Sequence, residues 1–124
     1  MRGLIQISQL DMLRHTSMVE EFGDPSLPGD FESLMQWRSY HHIMPSVHPP
    51  VMIQVGDDDR VTLPFHGYKT LAALQTDQLG RAQILPQVAW SAGHSQGFDL
   101  EQRIETHARQ HLFLRRALRL TPDR

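Results

Sequence analysis

The clearest hydrophobic pattern in the chain is Val51-Met52-Ile53-Gln54-Val55, a nearly unbroken apolar run of strand length that stops at Gly56. Such a run suits a parallel-sheet strand covered on both faces better than a half-exposed one, in which polar and apolar residues would alternate. From Phe65 to Leu79 the apolar positions Tyr68, Leu71, Ala72, Leu74 and Leu79 recur at the spacing of one helix face. Ile84 to Trp90 repeats the strand signal. Pro86 weakens it, because proline has no N–H to give to a ladder, and points to a sheet edge or a bulge. The pattern closes with a helix from Asp99 to Leu118, lined on one face by Leu100, Ile104, Ala108, His111, Leu112 and Leu118. Arg115, Arg116 and Arg119 crowd its C-terminal end, where cations favour the helix dipole.

Ahead of these elements the pattern is weaker. Leu4 to Ile7 reads as a strand, and Asp11-Met12-Leu13-Arg14 as the start of a short helix. Gly23 to Asp30 is rich in turn formers, and Asp30 is placed to cap a short helix through Phe31, Leu34, Met35 and Trp37. Tyr40 to Pro50 reads as irregular. Strand, helix, strand and helix in this order predict an α/β protein, with parallel strands joined by crossover helices. There is no internal repeat.

Composition narrows the function by exclusion. The 124 residues fit one domain, and 40% hydrophobic with 21% charged residues is ordinary for a globular protein. A formal net charge of -2 argues against nucleic acid or an anionic membrane as partner, since both call for a basic excess. With no cysteine there is no disulfide, thiolate metal site or thiol nucleophile; the compartment, cytoplasmic or periplasmic, stays open. No apolar run approaches the roughly 20 residues of a membrane span. Met1 to Ile7 lacks the make-up of a signal peptide and reads as a strand entered part-way, so the natural N-terminus is expected upstream.

Two turns carry the candidate chemistry. Gly56-Asp57-Asp58-Asp59-Arg60-Val61 follows the first strand, and Ala92-Gly93-His94-Ser95 follows the second. An acid after one strand and a histidine after the next is what an α/β hydrolase needs to complete a Ser-Asp-His triad. There the acid fixes the imidazole tautomer and the imidazole relays the nucleophile's proton. The nucleophilic Ser is expected upstream of this chain.

The motifs extend along nearly the whole sequence: Gly23-Asp24-Pro25, Asp30-Phe31, Tyr40-His41, Pro49-Pro50, the acidic turn, Pro64-Phe65-His66-Gly67-Tyr68-Lys69 and Ala92-Gly93-His94. In this order they resemble the prolyl oligopeptidase family of serine peptidases. The resemblance implies the C-terminal portion of an α/β-hydrolase fold, with parallel strands, flanking helices and an incomplete sheet. It also implies a peptide substrate, no cofactor and no metal, and an N-terminal β-propeller gating access, with the missing N-terminal half of the same enzyme as a possible partner. The family's catalytic His falls on His94. Its catalytic Asp falls on Asp59 when counted without gaps from Gly56 or Pro64, and on Asp58 when the Asp-Asp-Arg-Val string is matched. Arg60 resembles the arginine that binds a substrate carbonyl. Met18 stands where many members carry a tryptophan that stacks on the substrate proline, which puts cleavage after proline in question.

Several rival readings compete. Gly93-His94-Ser95-Gln96-Gly97 fits the lipase nucleophile-elbow pattern literally, with Ser95 as nucleophile. Chain order opposes it, because an elbow needs later strands to carry its own acid and histidine. Asp57 to Asp59 also suit a solvated turn or a cation site. His107 and His111 have the spacing for zinc on one helix face, yet no third ligand is evident. His41, His42 and His48 receive no role. Outside the enzyme class, the chain reads as a non-catalytic interaction module or pseudoenzyme remnant, associating through an open sheet edge and an apolar helix face.

Overall fold

The two strands expected from the apolar runs beyond residue 50 are present, and they pair. The computed structural model describes residues 16–37, 39–94 and 100–120. In chain order these form α1 (Thr16–Phe22), α2 (Pro28–Trp37), a 3-10 turn at Ser39–His42, β1 (Val51–Gly56), α3 (Phe65–Thr76), β2 (Ile84–Ala89) and α4 (Leu100–Ala117). The chain divides into two units, Met1–Pro45 and Ser46–Arg124.

In the second unit β1 and β2 run parallel, from Val51 opposite Ile84 to Gly56 opposite Ala89. Parallel neighbours require a crossover, and α3 supplies it. The helix closes on the face that carries Ile53 and Val55 by way of Gly67, where an added Cβ would collide with Val55 Cγ2. This close approach sets the rotation of α3. His66 and Thr70, one turn apart, are buried, whereas Tyr68 and Leu79 from the expected stripe are exposed. The helix also stops at Thr76, short of Leu79, whose N–H instead bonds Ser46 O at 2.8 Å. Gln78 braces this corner: Oε1 accepts the His48 and Gly80 N–H groups, and Nε2 donates to the His48 and Ala82 carbonyls.

Alternation places Gln54 and its register partner Gln87 on the other sheet face, and there they meet α4. Gln110 donates to Gln54 Oε1, and Gln87 Nε2 donates to Thr106 O. The half-buried positions of α4 are Thr106, Gln110, Phe113 and Ala117, a stripe at helical spacing. The apolar line expected to pack, from Leu100 and Ile104 through Leu112 to Leu118, faces solvent instead; Leu100 is 71% exposed. Each sheet glutamine gains one partner on α4, Gln54 through Oε1 and Gln87 through Nε2, which favours a polar helix face because a buried amide wholly without a partner is costly. Gln54 Nε2 and Gln87 Oε1 stay buried and unpaired. The helix itself matches the expected limits to within a residue at each end where Asp99 is set aside.

Burial of β1 falls short of expectation. Val55 is buried, but Val51 to Gln54 are half-buried, because among the described residues the sheet has two strands and each borders an open edge. Pro86 lies opposite Ile53 on such a strand, where a missing N–H is tolerated.

In the first unit α2 begins at Pro28, a residue suited to a first turn whose N–H has no intrahelical partner. Asp30 therefore lies inside the helix and is not its cap. Its Oδ2 accepts the Asp24 N–H at 2.9 Å, tying the helix to the preceding turn, where Gly23 adopts φ +96°. Leu34 is completely buried. Helix α1 covers Met18 to Phe22, which the hydrophobic pattern had left unassigned. Leu4 to Ile7 and Asp11 to Arg14 lie outside the described residues, and no described helix is long and apolar enough to cross a membrane.

Candidate active site

Because β1 and β2 are parallel and in register, the turns that follow them leave the sheet at the same, carboxyl end. Backbone hydrogen bonds join the two turns. Asp57 N–H donates to Ala89 O and Asp58 N–H to Ala92 O, each at 3.1 Å, and the Asp57 carboxylate accepts the Ala92 N–H at 3.2 Å. Gly56 permits the approach, and Ser91 turns the second loop with φ +56°, in the left-handed region.

Asp59 is fixed by both oxygens. Oδ1 accepts the N–H groups of Val61 at 2.9 Å and Thr62 at 2.8 Å, and Oδ2 faces His94 Nδ1 at 3.1 Å. The Asp59 side chain is 13% exposed and the His94 ring 55%. Burial acts to raise the Asp59 pKa; the Thr62 and Val61 N–H groups and the His94 ring outweigh it, and the carboxyl sits below its ordinary value of 3.8. A carboxylate held in this way, with its second oxygen on Nδ1, favours the tautomer that keeps a proton on Nδ1. Nε2 on the far side of the ring is then able to accept one.

Of the two candidate acids, Asp59 is the one that meets His94. Asp58 projects to solvent and pairs with Arg60 Nε at 3.3 Å, the two side chains being 64% and 86% exposed. Met18 lies in α1, and its side chain is outside the described residues, as is Ser95. His107 bonds Gln110 through Nδ1, His42 Nε2 lies 2.8 Å from Met35 O, and Tyr40 and His41 stack edge-on. No group of three potential metal ligands occurs among the described residues. A cleft of about 220 Å³ between β2 and α4, lined in part by Met52, Leu85, Leu112 and Phe113, includes neither Asp59 nor His94. Sequence reasoning gave Asp57 no separate part; only the fold reveals its bond to Ala92.

A parallel β-α-β unit with an acidic turn and then a histidine turn at its carboxyl end has the layout of an α/β hydrolase. Comparison with known proteins narrows the class. A model of the prolyl oligopeptidase family matches residues 5–121. Prolyl oligopeptidase dbiP of Dendrothele bispora is 33% identical over 121 residues, covering 90% of this chain and 16% of the relative. The prolyl endopeptidase of Dictyostelium discoideum is 30% identical over 108 residues, covering 78% of this chain and 14% of the relative. A solved prolyl endopeptidase structure superposes with a TM-score of 0.78 at 28% identity, over 83% of this chain and 15% of that one. The chain belongs to the prolyl oligopeptidase family, and it spans about one sixth of the length of the curated relatives it matches.

Proposed function

We propose that this chain supplies the acid and the base of a serine peptidase triad, in which His94 takes the proton of a serine that lies outside the 124 residues and Asp59 orients His94. The observation that carries this reading is the 3.1 Å contact between Asp59 Oδ2 and His94 Nδ1, made between turns at the same end of a parallel strand pair. In the first half-reaction Nε2 of His94 accepts the serine proton as the hydroxyl attacks a peptide carbonyl. The resulting imidazolium then donates that proton to the leaving amine, giving an acyl-enzyme that water resolves by the same exchange. Arg60, exposed and paired with the likewise solvent-facing Asp58, is suited to a substrate carbonyl.

The experiment is complementation. The 124-residue chain is mixed with a segment that carries the nucleophile, and hydrolysis of a proline-containing peptide is measured. The expected result is no turnover by the chain alone and turnover in the mixture that falls by about 10⁶ with His94→Ala, as in serine peptidases whose histidine is removed. Turnover that survives His94→Ala overturns the reading. Fluorophosphonate labelling of Ser95 would favour the lipase-like alternative instead.

A second reading has its own observation. The outward line of α4, with Leu100 71%, Ile104 61% and Leu118 60% exposed, suits a non-catalytic module that associates through this helix, its partner being the rest of the same peptidase. Co-purification of the two parts without any activity dependent on His94 would favour it.

A further inference from the structure

Building on the triad reading, we propose that Asp57 is a positioning residue, whose carboxylate sets the loop that presents His94 to Asp59. Ala92 is 1% exposed, and both its backbone groups are taken up by the acidic turn: its N–H by Asp57 Oδ1 at 3.2 Å and its C=O by the Asp58 N–H at 3.1 Å. Asp57 also anchors the start of the same loop, donating its own N–H to Ala89 O at 3.1 Å. One residue therefore holds the histidine loop at both ends of its bend. Between these points lies Ser91 at φ +56°, a conformation that an L-residue keeps only when the surroundings impose it.

His94 follows Ala92 by two residues, so the height of Ala92 above the sheet decides where the imidazole stands. A buried N–H requires an acceptor. Without the Asp57 oxygen the loop must turn Ala92 toward another one, and Nδ1 leaves Asp59 Oδ2. Asp57 touches neither the imidazole nor any reacting atom, and its effect passes through the loop alone. The three consecutive carboxylates thus divide the work. Asp57 places the histidine loop, Asp58 pairs with Arg60, and Asp59 meets the ring.

The test reads the tautomer of His94, by ¹⁵N NMR of the full 124-residue chain labelled at histidine, with His94→Ala to assign the signal. Above the pH of ring protonation, the expected result is a neutral ring protonated on Nδ1 in the unmutated chain. Asp57→Ala should lose that form in favour of the Nε2-protonated one, and Asp57→Asn, which keeps an oxygen at the same reach, should retain it. An Nδ1-protonated ring that persists in Asp57→Ala overturns the positioning role. If Asp59→Ala also leaves the tautomer unchanged, the Asp59–His94 pairing falls as well, so the two failures are distinguishable. Should Asp57→Ala not fold, the unmutated chain still decides. Its Ala92 amide resonance must move as the Asp57 carboxyl is protonated, and an Ala92 amide indifferent to that event overturns the proposal.

Discussion

A methyl group placed on Gly56 would stand 2.6 Å from the carbonyl oxygen of Ala92, 36 positions further along the chain. The two turns that bear the acid and the imidazole are in backbone contact, and the contact has no room for a side chain. Gly56→Ala should cost about 1–3 kcal/mol, in the range of overpacked sites, measured as a lowered urea midpoint with an unchanged slope. The His94 ring signal should move with it. A variant as stable as the parent would mean that the turns are not apposed.

Two glycines on helices give opposite expectations. Gly67 of α3 meets Val55, so Gly67→Ala should destabilise, although alanine is the better helix former. Gly29 of α2 has nothing within 4 Å of the added carbon, and Gly29→Ala should stabilise by about 0.5 kcal/mol or more. Thermal midpoints of the pair check both signs.

Asp58 and Asp59 should separate in the complemented enzyme. Asp59→Asn removes the charge beside His94 and is expected to lower kcat by about 10⁴, as loss of the triad acid does elsewhere. Asp58→Asn alters an exposed pair and should leave kcat unchanged, with stability within about 0.5 kcal/mol of the parent. Equal losses from both would remove the distinction.

Acid should destabilise the chain in two stages. Burial lowers the His66 pKa from its ordinary 6.5, with Lys69 adding to the effect. The unfolded chain therefore binds the proton first, and this stability is present above about pH 6.5 and lost as pH falls below it. The Asp59 pKa is depressed below 3.8, so its contribution is present above that value and lost as pH falls further. Urea midpoints measured from about pH 7 down to about pH 2 should show the upper step and the fall that begins below 3.8, and His66→Asn should abolish the upper one.

Much of the second unit was legible in the sequence, for physical reasons that differ by element. The run Val51 to Val55 is apolar enough to demand a sheet, and the acid-then-histidine order after successive strands followed from chain order alone. The faces of the helices were not legible. Periodicity chose Tyr68 and Ile104 as inward, but the contact surface depends on the partner: a glycine dock turns α3 onto His66 and Thr70, and a pair of glutamines turns α4 onto Thr106 and Gln110. Asp59 against Asp58 was a one-residue question of register, which a string of three identical side chains leaves open until the turn is folded. Asp57 was invisible for a related reason. Its partner is a backbone amide, and amides carry no sequence signature.

Because Gln54 and Gln87 tether α4 through amide groups while its oily flank looks outward, this helix packs more loosely on the sheet than α3 does. Of the elements around the sheet it is the one a stray proton-deuteron exchange would find first. Its amides should open while the strand pair beneath stays shut.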